Sequence, residues 1–153
     1  MSYKKPVSVL VVIHTPALDV LLLERARHPG FWQSVTGSQE DDEALLETAR
    51  REVREETGID AASDEFIDWQ HQNRYEIFAE WRFRYAPGVT HNTEHVYSLC
   101  LPEIRPVQIA PDEHLGYRWL PWKEAAEACF SWSNRDAILE LPARIAKGSS
   151  PAQ

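Results

Sequence analysis

Glu52, Glu55 and Glu56 are spaced i, i+3 and i+4. On a helix this spacing gathers all three carboxylates within an arc of roughly 100°. Crowded carboxylates repel one another, raise one another's pKa values and cost stability unless a cation lies between them. Ligation by oxygen alone suits a hard divalent ion, Mg²⁺ first and Mn²⁺ as an alternative. Such ions keep some of their waters and take further ligands from substrate phosphates. The same glutamates also read as a solvated acidic face, with Arg50, Arg51 and Arg54 as salt-bridge partners. Spacing alone leaves both readings open.

The longer string decides between them. Gly37 is followed after five residues by Glu43, and after seven more by Arg51-Glu52-Val53-Arg54-Glu55-Glu56-Thr57-Gly58-Ile59. Seven fixed residue types at fixed spacing arise by chance in a chain of this size with odds on the order of one in a million or less. On this string the chain is identified as a member of the Nudix family. The resemblance implies an α/β/α sandwich with a mixed sheet, and hydrolysis of a diphosphate bond in a small-molecule substrate. It implies Glu52, Glu55 and Glu56 as metal ligands, with the Gly37 carbonyl as a further ligand and Arg51 holding the carboxylates in place. Glu43, nine residues before Glu52, is expected to orient the loop or Arg51. Hydrolysis between two anionic phosphates needs cations bridging the oxygens, a water in line and a carboxylate to take its proton. The candidates for that carboxylate are a helix glutamate, with Glu55 preferred, and Glu113 from the Asp112-Glu113-His114 loop. By resemblance, Glu113 also completes the metal cluster.

Further blocks resemble the branch of the family that acts on a pterin triphosphate. They are Lys5 to Ile13, Pro29 to Gly37, Arg84 to Thr90 with Asn92-Thr93-Glu94, and Ser131 to Arg135. The reaction implied converts dihydroneopterin triphosphate to the monophosphate and pyrophosphate, a step of folate synthesis. The alternative is a (deoxy)nucleoside triphosphate pyrophosphohydrolase that cleans the nucleotide pool. A flat heterocycle wants aromatic faces and amide or hydroxyl partners. Phe31, Trp32, Gln33, Thr36, Tyr75, Phe78, Ser131, Trp132 and Asn134 could supply them. Cations for the triphosphate are expected from Lys4 or Lys5, Arg25, Arg27 and Arg74, with Lys4 and Arg25 preferred.

These groups have to be positioned by a definite order of elements. Val7 to His14 and Val20 to Arg25 read as a β-hairpin around the Thr15 to Asp19 turn. A short β segment, Phe31 to Thr36, precedes a helix from about Glu43, whose apolar stripe is Leu46, Ala49 and Val53 and whose stop is Gly58. Phe66 to Gln72, Tyr75 to Tyr85, His95 to Leu101 and Gly116 to Leu120 read as strands, with Trp81, Phe83 and Tyr85 as one packed face. Pro121 opens one helix, and Ser133-Asn134 cap another running towards Ala146. Strands, a helix, strands and then helices make one mixed-sheet domain over residues 1–147, with 148–153 as a loose tail.

Composition sets the outer limits. At 153 residues with 43% hydrophobic side chains the chain can bury a real core without disulfides or structural metal. A net charge of −8 repels nucleic acid and anionic membrane, so neither is expected as a partner. No obligate protein partner is evident. The apolar run Val7 to Ile13 is too short for a signal or a membrane span. Cys100 and Cys129 fit no metal or disulfide spacing and read as free thiols, so a cytoplasmic location is expected.

Overall fold

Every side chain from Ser8 to His14 in Val7–His14 (β1) is buried, the pattern of a central strand covered on both faces. Along it Val9, Val11 and Ile13 pack to one side with Ala49 and Val53. Leu10 and Val12 pack to the other with Ile138 and Leu141. The helix Leu45–Thr57 (α1) covers the first face. Trp122–Ala128 (α2) and Trp132–Gly148 (α3) cover the second. This is the expected α/β/α sandwich, seen in a computed structural model that describes residues 3–148. Gly148 belongs to α3, and the remaining residues of the tail expected at 148–153 lie outside the described residues.

The sheet is mixed and has seven strands among the described residues. His91–Cys100 (β6) runs parallel to β1 along its whole length, and Phe66–Glu76 (β5) pairs antiparallel with β6 at the edge. Asp19–Arg25 (β2) does not form the long hairpin with β1 that the sequence suggests. The two pair only at His14↔Val20, after which Val35–Ser38 (β4) takes the place beside β1. β2 then pairs with Trp32–Gln33 (β3) and His114–Pro121 (β7) instead. The sheet therefore splays open at one end, because two strands compete for a single edge of β1 and each takes part of it.

Two further expectations are corrected. Tyr75 to Tyr85 is not a strand: β5 ends at Glu76, and Ala79–Arg84 winds into a 3₁₀ turn. Trp81 N–H donates to the Phe78 carbonyl and Tyr85 N–H to that of Arg82, giving a period of three where a strand has two. Trp81, Phe83 and Tyr85 therefore share no face, and Phe83 is 72% exposed. The cap of α3 is Ser131, whose hydroxyl accepts from Asn134 N–H at 3.1 Å. Asn134 uses its own amide on Ser34, accepting from its N–H at 2.7 Å and donating to its Oγ at 3.0 Å.

No helix among the described residues is long and apolar enough to cross a membrane. Cys100 and Cys129 are both free.

Candidate active site

The α1 helix is closed by Gly58, whose φ of 76° lets its N–H return to the Arg54 carbonyl. Before its first turn, Glu43 fastens the preceding loop. Its carboxylate accepts from Arg51 Nη2 at 2.7 Å and Nε at 3.2 Å, from Glu40 N–H at 2.9 Å and from the Thr48 hydroxyl at 2.9 Å. The Arg51 guanidinium holds the Glu43 carboxyl well below the usual range, at about 2. Glu43 thus orients Arg51, as the sequence suggests. Arg51 also donates to the Ser38 carbonyl at 2.9 Å, to Glu52 at 3.2 Å and to Glu55 at 3.3 Å. One cation ties the loop, the strand β4 and two helix carboxylates together.

The three spaced glutamates are not equivalent. Glu52 and Glu56 are buried, whereas the Glu55 side chain is 51% exposed at the rim. Burial raises the pKa of both inner carboxylates, and their mutual repulsion adds to the rise at Glu56. Arg51 opposes the shift at Glu52, and a backbone hydrogen bond from Thr36 opposes it at Glu56. Glu56 Oε1 is buried with no hydrogen-bond partner. Two buried, mutually repelling carboxylates with an orphaned oxygen fit a divalent cation well. Among the described residues no three such side chains close into a ready-made ligand group, and Arg51 engages Glu52 and Glu55. A Cβ at Gly37 would overlap the Glu52 carboxylate, so glycine there leaves room for Glu52 in its present position.

Most of the residues singled out from the sequence meet in one cavity of about 960 Å³, where β2 has left β1 and β4 has replaced it, whereas Phe31, Trp32, Glu43 and Arg74 do not line it. Gly37, Arg51, Glu52, Glu55, Glu56 and Glu113 line it together with Lys4, Arg25, Thr36, Tyr75, Phe78 and Ser131. Glu113 stands in the turn before β7, where its charge reaches both Glu52 and Glu56. Arg25 lies over the Trp81 ring at 4.9 Å and donates to Gln33 at 3.1 Å. Phe31 stacks on Phe130 with centroids 4.8 Å apart, and Phe78 meets Trp81 edge-on at 5.0 Å. The Thr36 hydroxyl donates to the Val9 carbonyl at 2.9 Å, and the Ser131 hydroxyl accepts from Asn134 N–H at 3.1 Å to cap α3.

Acidic chemistry at one part of the cavity wall and an aromatic cluster at another suit a phosphorylated heterocycle. A NUDIX domain matches residues 4–141. The chain belongs to the Nudix family. Among Nudix relatives, it is 50% identical over 139 residues to a dihydroneopterin triphosphate diphosphatase of Escherichia coli K12, covering 89% of this chain and 91% of that one. It is 42% identical over 141 residues to the Haemophilus influenzae protein of the same name, covering 90% of this chain and 88% of the relative. The solved Nudix structure of the E. coli dihydroneopterin triphosphate pyrophosphohydrolase superposes with a TM-score of 0.85 at 48% identity, covering 92% of this chain and 97% of that one.

Sequence reasoning misses four residues of the Nudix cavity. Trp81, which its spacing assigns to a strand face, instead carries Arg25. His114 carries no role in the sequence reading, yet its Nε2 lies 3.8 Å from Glu56 Oε1. Burial, with Arg25 nearby, depresses its pKa to about 4, so it is neutral there. Asn92 and Glu94 likewise carry no role in the sequence reading. Their alternation on a strand whose neighbouring inward position is Val96 is the signal that could have found them.

Proposed function

We propose that this chain is a divalent-metal-dependent pyrophosphohydrolase that converts dihydroneopterin triphosphate to dihydroneopterin monophosphate and pyrophosphate. The observation that carries this reading is 50% identity to an enzyme of that name over nine-tenths of both chains, with the acidic string unbroken. Glu52, Glu55, Glu56 and Glu113, with the Gly37 carbonyl, are the ligand set. Mg²⁺ is the expected ion and Mn²⁺ a substitute. When bound, the cation screens the phosphate charges and polarises the phosphoryl group.

The chain's own residues do the rest. Glu55, the accessible carboxylate on the rim, takes the proton from the attacking water, and Glu113 is the alternative base. Arg51 keeps Glu52 and Glu55 aimed inward and stays charged throughout, because Glu43 raises its already high pKa. Lys4 and Arg25 hold the triphosphate, with Arg25 pre-set by the Trp81 face and Gln33. Tyr75 and Phe78 border the heterocycle. Thr36 and Ser131 line the wall of the substrate cavity.

The test is a turnover panel with Mg²⁺, comparing dihydroneopterin triphosphate with common and oxidised nucleoside triphosphates and separating released pyrophosphate from orthophosphate. The expected result is pyrophosphate release with at least tenfold preference for the pterin in kcat/KM, about 1.4 kcal/mol of discrimination. A nucleotide preferred by that margin would assign the chain to the nucleotide pool instead.

A further inference from the structure

Asn92 and Glu94 sit two residues apart on the buried face of β6, both on the cavity wall. Polar groups so placed are costly unless every one is paired. Most of theirs are. Asn92 donates from its amide to the Ser8 hydroxyl at 2.8 Å and to the Tyr75 hydroxyl at 3.0 Å. The Ser133 and Asn73 side chains lie beside the Glu94 carboxylate and favour its ionised form, against the burial that raises its pKa. What remains is specific: Glu94 Oε1 and Asn92 Oδ1 are buried with no partner. Both leftover atoms are acceptors. The donors of Asn92 are already used and an ionised carboxylate has none, so this stretch of wall asks for a ligand that brings donors of its own.

Heterocycles differ in what they can bring. A 2-amino-4-oxopyrimidine ring, as in a pterin or guanine, offers an amino group and a ring N–H side by side. Adenine offers an amino group beside a bare ring nitrogen, whose lone pair would face an acceptor. We infer that Glu94 and Asn92 are specificity-determining residues that read the 2-amino-4-oxopyrimidine edge of the bound heterocycle. The inference rests on the proposed substrate for its choice of ring, and it adds the residues that select that ring. Neighbouring groups fix the pair in place: Tyr75 and Ser8 hold the Asn92 amide, and the strand register sets Asn73 opposite Glu94.

The test measures binding of two heterocycles without phosphates, by quenching of tryptophan fluorescence. One is a pterin, and the other is the matching lumazine, in which oxygen replaces the 2-amino group. The wild-type chain is expected to bind the pterin at least tenfold tighter, since the lumazine turns an acceptor towards an acceptor. In Glu94→Gln, with a melting temperature checked against wild type, the ratio is expected to fall to about threefold or less. Equal binding of the two rings by wild type overturns the inference even if the variant does not fold. A ratio retained in a folded Glu94→Gln removes the role from Glu94. Either result leaves triphosphate hydrolysis standing, since pyrophosphate release reads that separately. Conversely, pterin-over-lumazine selection without turnover of the pterin triphosphate counts against the substrate and supports the recognition.

Discussion

Replacing Glu43 by Gln tests whether the loop before α1 is held by charge. The substitution keeps the shape of the side chain but puts an amide where Arg51 Nε and Nη2 now find carboxylate oxygens, at 3.2 and 2.7 Å. The wild-type carboxyl, only 19% exposed, is held at about 2 against an ordinary 4.5. That difference corresponds to about 3 kcal/mol of stability at neutral pH. The bonding pattern gives a similar figure, since hydrogen bonds to charged groups contribute about 1.5–3 kcal/mol. The sign follows from a depressed acid: the contribution is complete above the unfolded pKa and is lost as pH falls towards the folded one. Urea unfolding of wild type and Glu43→Gln is therefore expected to differ by about 3 kcal/mol at pH 7 and by about 2 kcal/mol at pH 3.5. In a thermal melt the neutral-pH gap is expected to be roughly 6–12 °C. A cost below about 1 kcal/mol at pH 7, or one that does not shrink on acidification, would refute the reasoning.

Three further outcomes are expected. Gly37→Ala should push the Glu52 carboxylate aside and lower kcat at least tenfold, while the fold survives because the obstacle is a side chain rather than backbone. Unchanged Mg²⁺ titrations of turnover in that variant would count against Glu52 as a ligand. Metal-free protein should lose stability as pH rises above the ordinary carboxylate range, because folded Glu56 resists ionisation and the unfolded chain does not. Glu56→Gln should flatten that slope in denaturant titrations while abolishing Mg²⁺-dependent turnover. Arg25→Lys, which cannot keep both the flat contact on Trp81 and the bond to Gln33, should raise KM about tenfold with little change in kcat.

Much of this chain is legible locally. The spacing of Glu52, Glu55 and Glu56, the apolar stripe at Ala49 and Val53 and the stop at Gly58 depend on the period of one helix. The helix forms as that period requires. The buried run of β1 and the layered α/β/α order follow in the same way from a continuous apolar segment and the succession of elements.

Other features depend on which distant segment arrives beside a given residue. Periodicity could not show that β4 would displace β2 from β1, and that exchange opens the cavity. Nor could alternating aromatics show that Ala79–Arg84 coils, turning Trp81 towards Arg25. Equal spacing on α1 likewise conceals unequal burial: β4 lies against Glu52 and Glu56 and leaves Glu55 on the rim. The sequence by itself determined the family, the acidic string and the helix that presents it, because those rest on contacts within about one turn. The tertiary structure alone decided which carboxylates are desolvated, where His114 meets Glu56 and where Asn92 and Glu94 keep unpaired acceptors. Desolvation and orphaned polar atoms are properties of packing between segments far apart in the chain.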